Sequence, residues 1–192
     1  MELIAFADLG TPPAGWQFTF TSIPQTFHTL KLIGSTKGQS GTHYDQLYVQ
    51  FEINGSWEFD SGGSNYEAYS YGDTSGYWTG GTISSEGMSY ARFPWFTSTT
   101  GSYTNDFGGW EITIGDYTNG ANIYKSMWCW NPDMQSFGTA ASYNSYLGVG
   151  GGAYDTNSSG SNGHVTGIRV RSYSGSNDKF SEGSSLGLYG LD

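Results

Sequence analysis

The chain has 192 residues, among them 30 Gly, 15 Tyr, 11 Phe and 7 Trp, and its 17 acidic and 7 basic residues give a net charge of −10. An aromatic-rich, charge-poor composition excludes a disordered chain and a long coiled coil. Seven dispersed basic residues on an acidic chain argue against nucleic-acid binding. The length fits a single domain spanning 1–192 with a full hydrophobic core.

Residues 1–14 are predicted to form an N-terminal arm ahead of the first long strand. The segment begins Met-Glu and lacks the basic region and long apolar region of a signal peptide. No run of about 18 apolar residues follows anywhere in the chain, so we expect no membrane partner and synthesis in a host cytoplasm.

Alternation of apolar and polar residues is the dominant pattern. It is clearest where Leu47, Val49, Phe51 and Ile53 alternate with polar neighbours, and it is typical of half-buried antiparallel strands. The predicted strands are 15–22, 27–35, 46–54, 65–72, 87–94, 108–115, 122–130, 136–147, 164–172 and 184–190. Many short strands with Gly-rich turns predict an all-β, antiparallel, jelly-roll-like β-sandwich.

Turn and loop signals separate these strands. Asn54-Gly55 is a tight-turn dipeptide that accepts positive φ. Residues 73–86 are rich in Gly, Ser and Tyr and predict looser structure, and 148–163 predict one long Gly/Ser-rich loop. Within that loop Asp155, Asn157 and Ser159 match the first half of a calcium-binding loop, although Thr166 stands where the bidentate acid is due. They are kept as a candidate calcium site; otherwise no metal or cofactor is expected.

The aromatic residues are the main candidates for binding or interface contacts. Tyr and Trp are enriched where proteins meet, and charged residues are depleted there. On the strand around Cys129 the two indoles share one face and the thiol the other, so Cys129 is predicted to be a small core residue. The Trp pair could serve core packing, a subunit contact or a ligand. The candidates are Tyr44, Tyr66, Tyr69, Tyr71, Tyr77, Trp78, Trp128 and Trp130.

Catalytic motifs are poorly matched. Glu58 and Asp60 have the spacing that would place two carboxylates on one face of a strand, as a retaining glycosidase requires, but the following residues predict a turn. No other pair of residues suggests a nucleophile with its base, so we expect a protein that is not an enzyme.

Two segments resemble a known family. Ser22-Ile23-Pro24-Gln25-Thr26-Phe27 near the start and Phe180-Ser181-Glu182-Gly183-Ser184 with Leu188-Tyr189-Gly190 at the end are similar to the opening and terminal signatures of virion surface β-proteins of tailed phages, common in marine and cyanobacterial phages. Phe51-Glu52-Ile53-Asn54-Gly55 also matches a strand of that group, whereas 75–160 matches only loosely.

The resemblance implies a non-enzymatic jelly-roll β-sandwich on the virion surface. It is similar both to capsid decoration (cement) proteins, which stabilise the shell by packing on capsid subunits, and to tail appendages; decoration is favoured because the chain has no fibre-like repeats. The alternative is a receptor-binding, carbohydrate-binding sandwich with a host glycan as partner. A homo-oligomer, with a trimer favoured, is expected, and the apolar C-terminal segment 186–191 and the Tyr-rich middle are its two candidate contact surfaces.

Overall fold

The computed structural model describes residues 1–10, 17–38, 44–57, 66–73, 78–88, 91–97, 107–120, 125–131, 147–154, 163–173 and 179–192. These residues form thirteen strands and no helix. The strands are β1 (Glu2–Asp8), β2 (Phe18–Phe20), β3 (Thr29–Thr36), β4 (Tyr44–Ile53), β5 (Ser56–Trp57), β6 (Tyr66–Asp73), β7 (Trp78–Met88), β8 (Ala91–Thr97), β9 (Gly108–Gly115), β10 (Lys125–Asn131), β11 (Leu147–Tyr154), β12 (Val165–Tyr173) and β13 (Ser185–Leu191).

The strands form two antiparallel sheets. An eight-stranded sheet has the order β1-β13-β3-β9-β10-β11-β6-β7, and a smaller sheet has the order β2-β12-β4-β5, with β8 also pairing with β4. The predicted all-β sandwich is therefore confirmed, while its jelly-roll topology stays a prediction.

The core lies between the two sheets because each strand turns its apolar residues to one side. Leu30, Leu32 and Ile112 of the large sheet meet Phe51 and Ile168 of the small sheet, and all five are fully buried. Each such side chain contributes about 1.5–3 kcal/mol to folding relative to an exposed one. As the alternation predicted, Phe51 and Ile53 point inward and Glu52 lies half-exposed between them.

The Asn54-Gly55 turn is confirmed as well. Asn54 and Gly55 have φ angles of 49° and 85°, and they join β4 to β5 with Ile53 paired to Ser56. Two successive positive φ values match the right-handed twist of the paired strands, which explains the Asn-Gly sequence at this position.

Three sequence-based expectations are corrected. Within the predicted N-terminal arm, Glu2–Asp8 is a strand that pairs with β13. Within the predicted long loop, Leu147–Tyr154 is a strand between β10 and β6, and 155–162 lie outside the described residues. Most of the looser segment 73–86 is β7, Trp78–Met88. Neighbouring strands supply the ladder hydrogen bonds that Gly-rich or short segments do not secure by propensity alone.

The C-terminal strand is also placed differently from its predicted role as a contact surface. β13 lies inside the large sheet, with β1 on one side and β3 on the other. Leu186 and Leu188 are fully buried in the core. Both edges of the strand are therefore used within the chain, and it is not a free edge for self-association.

Candidate functional site: the outer face of the large sheet

Register places five exposed apolar side chains on the solvent side of the eight-stranded sheet. Direct partners in an antiparallel ladder share a face. One row of partners runs Phe6–Gly187–Ile33–Glu111–Trp130 across β1, β13, β3, β9 and β10.

The neighbouring row runs Leu3–Tyr189–Lys31–Thr113–Trp128 across the same five strands. Two-residue periodicity places both rows on one side, because the alternate residues of these strands enter the core.

Exposure confirms this arrangement. Trp128 is 54% exposed, Phe6 62%, Leu3 53%, and Ile33 and Trp130 38% each. Isolated exposed apolar residues are common on any protein, but a contiguous apolar patch marks an interaction or ligand surface. We call these five residues the outer apolar face.

The charged groups among these rows neutralise one another. Lys31 Nζ lies 2.8 Å from Glu111 Oε2, with the side chains 24% and 37% exposed. A partly exposed ion pair of this kind stabilises a protein by no more than about 1 kcal/mol. Its main consequence is that the middle of the outer apolar face carries no net charge, in a chain whose total is −10.

A shallow groove of about 210 Å³ opens on this face. Ile33 and Trp130 form its apolar walls, the backbone of Gly34, Gly109 and Trp110 lies beneath, and Glu111 borders it. A methyl group added at Gly109 would have no heavy atom within 4 Å. The space above this glycine is therefore open and forms part of the groove. The groove can take one ring-sized or branched apolar group beside a carboxylate.

Glycine in β11 keeps the surface beside the tryptophans flat. Gly151 is the direct partner of Trp128, and a methyl group at Gly151 would lie 3.9 Å from the indole, at ordinary contact distance. The backbones of β11, β6 and β7 continue the sheet beyond this point. With strands about 4.8 Å apart, eight strands of about seven residues present roughly 800 Å².

The predicted binding residues are distributed over both sheets. Trp128 and Trp130 lie together on the outer apolar face, so the core-packing interpretation of this pair is wrong, whereas Cys129 between them is fully buried as predicted. Tyr69 of β6 is in backbone register with Gly151 of β11, and Tyr71 with Val149. β11 is the strand that lies between β6 and β10, which carries the two tryptophans.

The remaining candidates are placed by backbone only or not at all. Tyr66 is in register with Tyr154 and Trp78 with Asp73 in the large sheet, and Tyr44 belongs to β4 of the small sheet. The side chains of the strand tyrosines and of Trp78 are not described, and Tyr77 lies outside the described residues. Leu3, Phe6 and Ile33 were not predicted from the sequence. A single apolar residue in a short strand cannot be recognised as part of a surface until the pairing register of the strands is known.

The signature residues of the family resemblance have packing roles. Phe180 is buried against Phe18, with ring centroids 5.0 Å apart. Gly183 has a φ of 81°, and the Ser184 hydroxyl accepts a hydrogen bond of 3.1 Å from the Lys37 backbone N–H. A methyl group at Gly190 would lie 2.3 Å from the Phe27 ring. These residues therefore fix the β13 end of the sandwich.

The opening signature is fixed in the same way. Ile23 is buried, and its backbone N–H donates to the Thr166 carbonyl at 3.0 Å. The Gln25 side-chain amide donates to the Val165 carbonyl at 3.0 Å, and the Tyr117 hydroxyl donates to the Pro24 carbonyl at 2.5 Å. The segment holds β2 against the β12 end of the small sheet.

Candidate catalytic and metal-binding groups are not brought together in the described part of the chain. No group of three His, Cys, Asp or Glu residues there could hold a metal ion. The calcium candidates Asp155, Asn157 and Ser159, and the carboxylates Glu58 and Asp60, lie outside the described residues. Among the described residues, no helix is long and apolar enough to cross a membrane.

Comparison with known proteins finds no matching family model, no matching curated protein and no matching solved structure.

Proposed function

We propose that this protein is a structural, non-enzymatic subunit of a tailed-phage virion that attaches to another virion protein through its outer apolar face. Capsid decoration is favoured over a tail appendage. We infer the docking surface from one observation, which is that five apolar side chains are exposed on one side of one sheet: Trp128, Trp130, Phe6, Leu3 and Ile33.

Size and composition support a protein partner for this face. The five strands that carry the face, about 4.8 Å apart and about seven residues long, present roughly 550 Å², close to the roughly 600 Å² that each partner contributes to a small specific protein–protein interface. Aromatic residues are exposed on it, as they are in such interfaces, and the Lys31–Glu111 ion pair leaves its centre without net charge. A catalytic cleft would instead be concave and would gather titratable groups.

The virion assignment rests on the resemblance of the two terminal signatures, and their packing roles support a shared fold rather than a shared contact surface. A jelly-roll topology and a trimer belong to the same proposal. With β13 occupied on both edges, a closed oligomer would have to use another surface. The outer apolar face is assigned to the virion contact, so the Tyr-rich middle is the candidate surface that is left, and a closed symmetric contact there would end association at a finite size.

A matched pair of variants tests the docking surface. Trp128→Ser with Trp130→Ser should abolish co-sedimentation with virions stripped of the protein, while leaving the protein folded because neither indole belongs to the core. Thr113→Ser on the same face is the control. Retained attachment of the double variant would contradict the proposal.

The salt response separates apolar from charged docking. Attachment through the neutral outer apolar face should change little between about 0.1 M and about 1 M salt, because screening acts on exposed charges. Release of the protein by moderate salt alone would show that another surface makes the contact.

The groove favours one second candidate function, a carbohydrate-binding sandwich. An exposed indole wall at Trp130 beside the Glu111 carboxylate provides a stacking surface and a hydrogen-bond acceptor for one sugar ring. Isothermal titration with host polysaccharide, repeated with Trp130→Ser, distinguishes this function from protein docking.

A further inference from the structure

The first strand, β1, forms one edge of the eight-stranded sheet. It pairs with β13 on one side, and within the described part of the chain no strand pairs with it on the other side. An edge strand presents a row of unpaired backbone N–H and C=O groups, and another chain can pair with them.

The hydrogen bonds of Leu9, the residue after β1, show which backbone groups of the strand point outward. Leu9 N–H donates to the Ser184 carbonyl at 2.8 Å, and the Leu9 carbonyl accepts from the Gly183 N–H at 2.7 Å, so both groups point toward β13. The register just before Leu9 is regular, and successive residues of an antiparallel strand direct these groups to opposite sides. The N–H and C=O groups of Phe6 and Asp8 therefore point away from β13, toward the open edge.

The hydrophobic core is also incomplete along this edge. Leu186 and Leu188 of β13 are fully buried, whereas their register partners Ala7 and Ala5 are only partly buried, although they pack against the core. On the outer side of the same strand Phe6 is 62% exposed. One more strand beside β1 would therefore cover apolar surface on both sides of the sheet.

The register limits the part of β1 that can take such a strand. It shifts between Leu3 and Ala5, and a bulge of this kind bends an edge strand away from further pairing. The segment that remains regular is 5–8. At its end Asp8 is exposed and has no ion pair among the described residues.

Charge argues against a second copy of the chain at this edge. Antiparallel pairing of β1 with its own copy over the full strand would place Glu2 opposite Asp8 at both ends, and like charges directly opposite each other destabilise a sheet. The whole chain carries a net charge of −10. A basic strand is therefore attracted to this edge, and an identical acidic chain is repelled from it.

We propose that the open edge of β1 binds an extended segment of a partner protein, basic at one end and otherwise apolar, as an added antiparallel strand. Phe6 and Asp8 share the outer face because they are two residues apart. The partner residue opposite Asp8 is Lys or Arg, and the one opposite Phe6 is aromatic or branched. The residue between them faces inward and covers Ala7, and the next covers Ala5. From its N-terminus the segment is thus basic, apolar, aromatic, apolar.

This edge adjoins the outer apolar face at Phe6, but the proposed strand pairing does not depend on the virion assignment. The backbone groups of the edge supply affinity, and the alternate side chains of the added strand supply specificity. Because Trp128 and Trp130 lie four strands away on β10, their replacement by Ser should leave strand pairing at β1 intact.

The test titrates the full-length protein with the peptide acetyl-Thr-Lys-Val-Tyr-Val-Thr-amide. We expect saturable changes in the NMR signals of the Phe6 and Asp8 amides below about 5 mM peptide. These two amides should exchange hydrogen rapidly in the free protein and more slowly in the complex. The Ala7 amide points toward β13 and should be protected in both states.

Methylation of the peptide backbone provides a matched control that does not disturb the folding of the protein. A methyl group on the Tyr nitrogen removes the N–H that faces Phe6, and it should weaken binding at least about tenfold. A methyl group on the nitrogen of the Val between Lys and Tyr points away from β1 and should change the affinity by less than about threefold.

A charge exchange tests the basic position. Asp8→Lys should weaken binding of the Lys peptide at least about fivefold and strengthen binding of a peptide with Glu in place of Lys. Asp192→Lys makes the same charge change at an exposed residue beyond the other end of β13, and it should alter the affinity by less than about twofold.

Four results would overturn the proposal. They are no saturable binding of the first peptide by the folded wild type, equal effects of the two backbone methyl groups, loss of peptide binding in the double Trp128→Ser, Trp130→Ser variant, and a wild-type dimer that the peptide dissociates in sedimentation velocity. The third result would place the peptide on the outer apolar face, and the fourth would assign the edge to a second copy. Virion attachment retained by the double variant contradicts only the proposed function.

Discussion

The indole of Trp110 lies directly against Gly34, its register partner on the neighbouring strand. A methyl group at Gly34 would stand 2.4 Å from the ring atoms Cε2 and Cζ2. Both residues face the core, where Trp110 is 3% exposed. Gly34 is therefore required for the space it leaves, and not for an unusual backbone conformation.

Gly34→Ala should destabilise the protein by about 1–3 kcal/mol, because the added methyl group forces the buried indole from its position. Urea unfolding followed by Trp fluorescence measures this change. Gly109→Ala, on the same sheet but with open space above its α-carbon, should change stability by no more than about 0.5 kcal/mol. Equal effects of the two substitutions would show that the contact between Gly34 and Trp110 does not cause the loss of stability.

The hydrogen bond of the same indole predicts a second effect. Trp110 Nε1–H donates to the Thr36 hydroxyl at 2.7 Å, and Thr36 is fully buried. Thr36→Val keeps the shape but leaves the buried N–H without an acceptor, at a cost of about 1–3 kcal/mol. Thr36→Ser keeps the hydroxyl and loses only a methyl group, about 0.8 kcal/mol. A larger loss with Ser than with Val, measured by thermal unfolding, would contradict this account.

The strand register of β4 predicts the third effect. Phe51 is fully buried between the sheets, so Phe51→Ala should cost about 3–5 kcal/mol. Phe6→Ala removes the same ring from a position that is 62% exposed, and it should change the free energy of unfolding by no more than about 0.5 kcal/mol. Chemical denaturation of both variants distinguishes the two faces, and a Phe6 effect as large as that of Phe51 would show that β1 packs more deeply.

The core was predictable from sequence because alternation fixes which side of a strand is buried. Phe51, Ile53 and Cys129 all take the predicted inward positions. The Asn54-Gly55 turn followed from local chemistry alone, since few residues accept two positive φ values. These features depend on neighbours along the chain.

The strands β1, β7 and β11 were not predicted because they depend on partners far away in sequence. In β11 four glycines give no apolar alternation, and the strand exists because β10 and β6 pair with it on both sides. The outer apolar face was missed for the same reason: Phe6 and Trp130 are far apart in sequence and become members of one row only through four successive ladders. The Arg169 guanidinium, which stacks 4.0 Å from the centroid of the Trp57 ring, likewise depends on tertiary packing.

The last prediction concerns the pH dependence of stability. Burial, with a smaller contribution from Glu111, raises the pKa of the Cys129 thiol far above its ordinary value of 9.0. Below about pH 9 the thiol holds its proton in both the folded and the unfolded chain, so its contribution to stability is complete. Above that pH the unfolded chain releases the proton and the folded chain does not, so stability falls by up to about 1.4 kcal/mol per pH unit.

Cys129→Ala isolates this effect. Tyr117, whose pKa is raised by burial, and Lys125, whose pKa is lowered by burial, also titrate differently on unfolding, with opposite signs. Both groups are present in the variant and in the wild type, so they cancel in the difference between the two free energies of unfolding. The wild type should therefore lose stability relative to Cys129→Ala from about pH 9 to about pH 11. A difference that stays constant over this range would mean that the thiol ionises in the folded protein, and thus that water reaches the core side of β10 beneath Trp128 and Trp130.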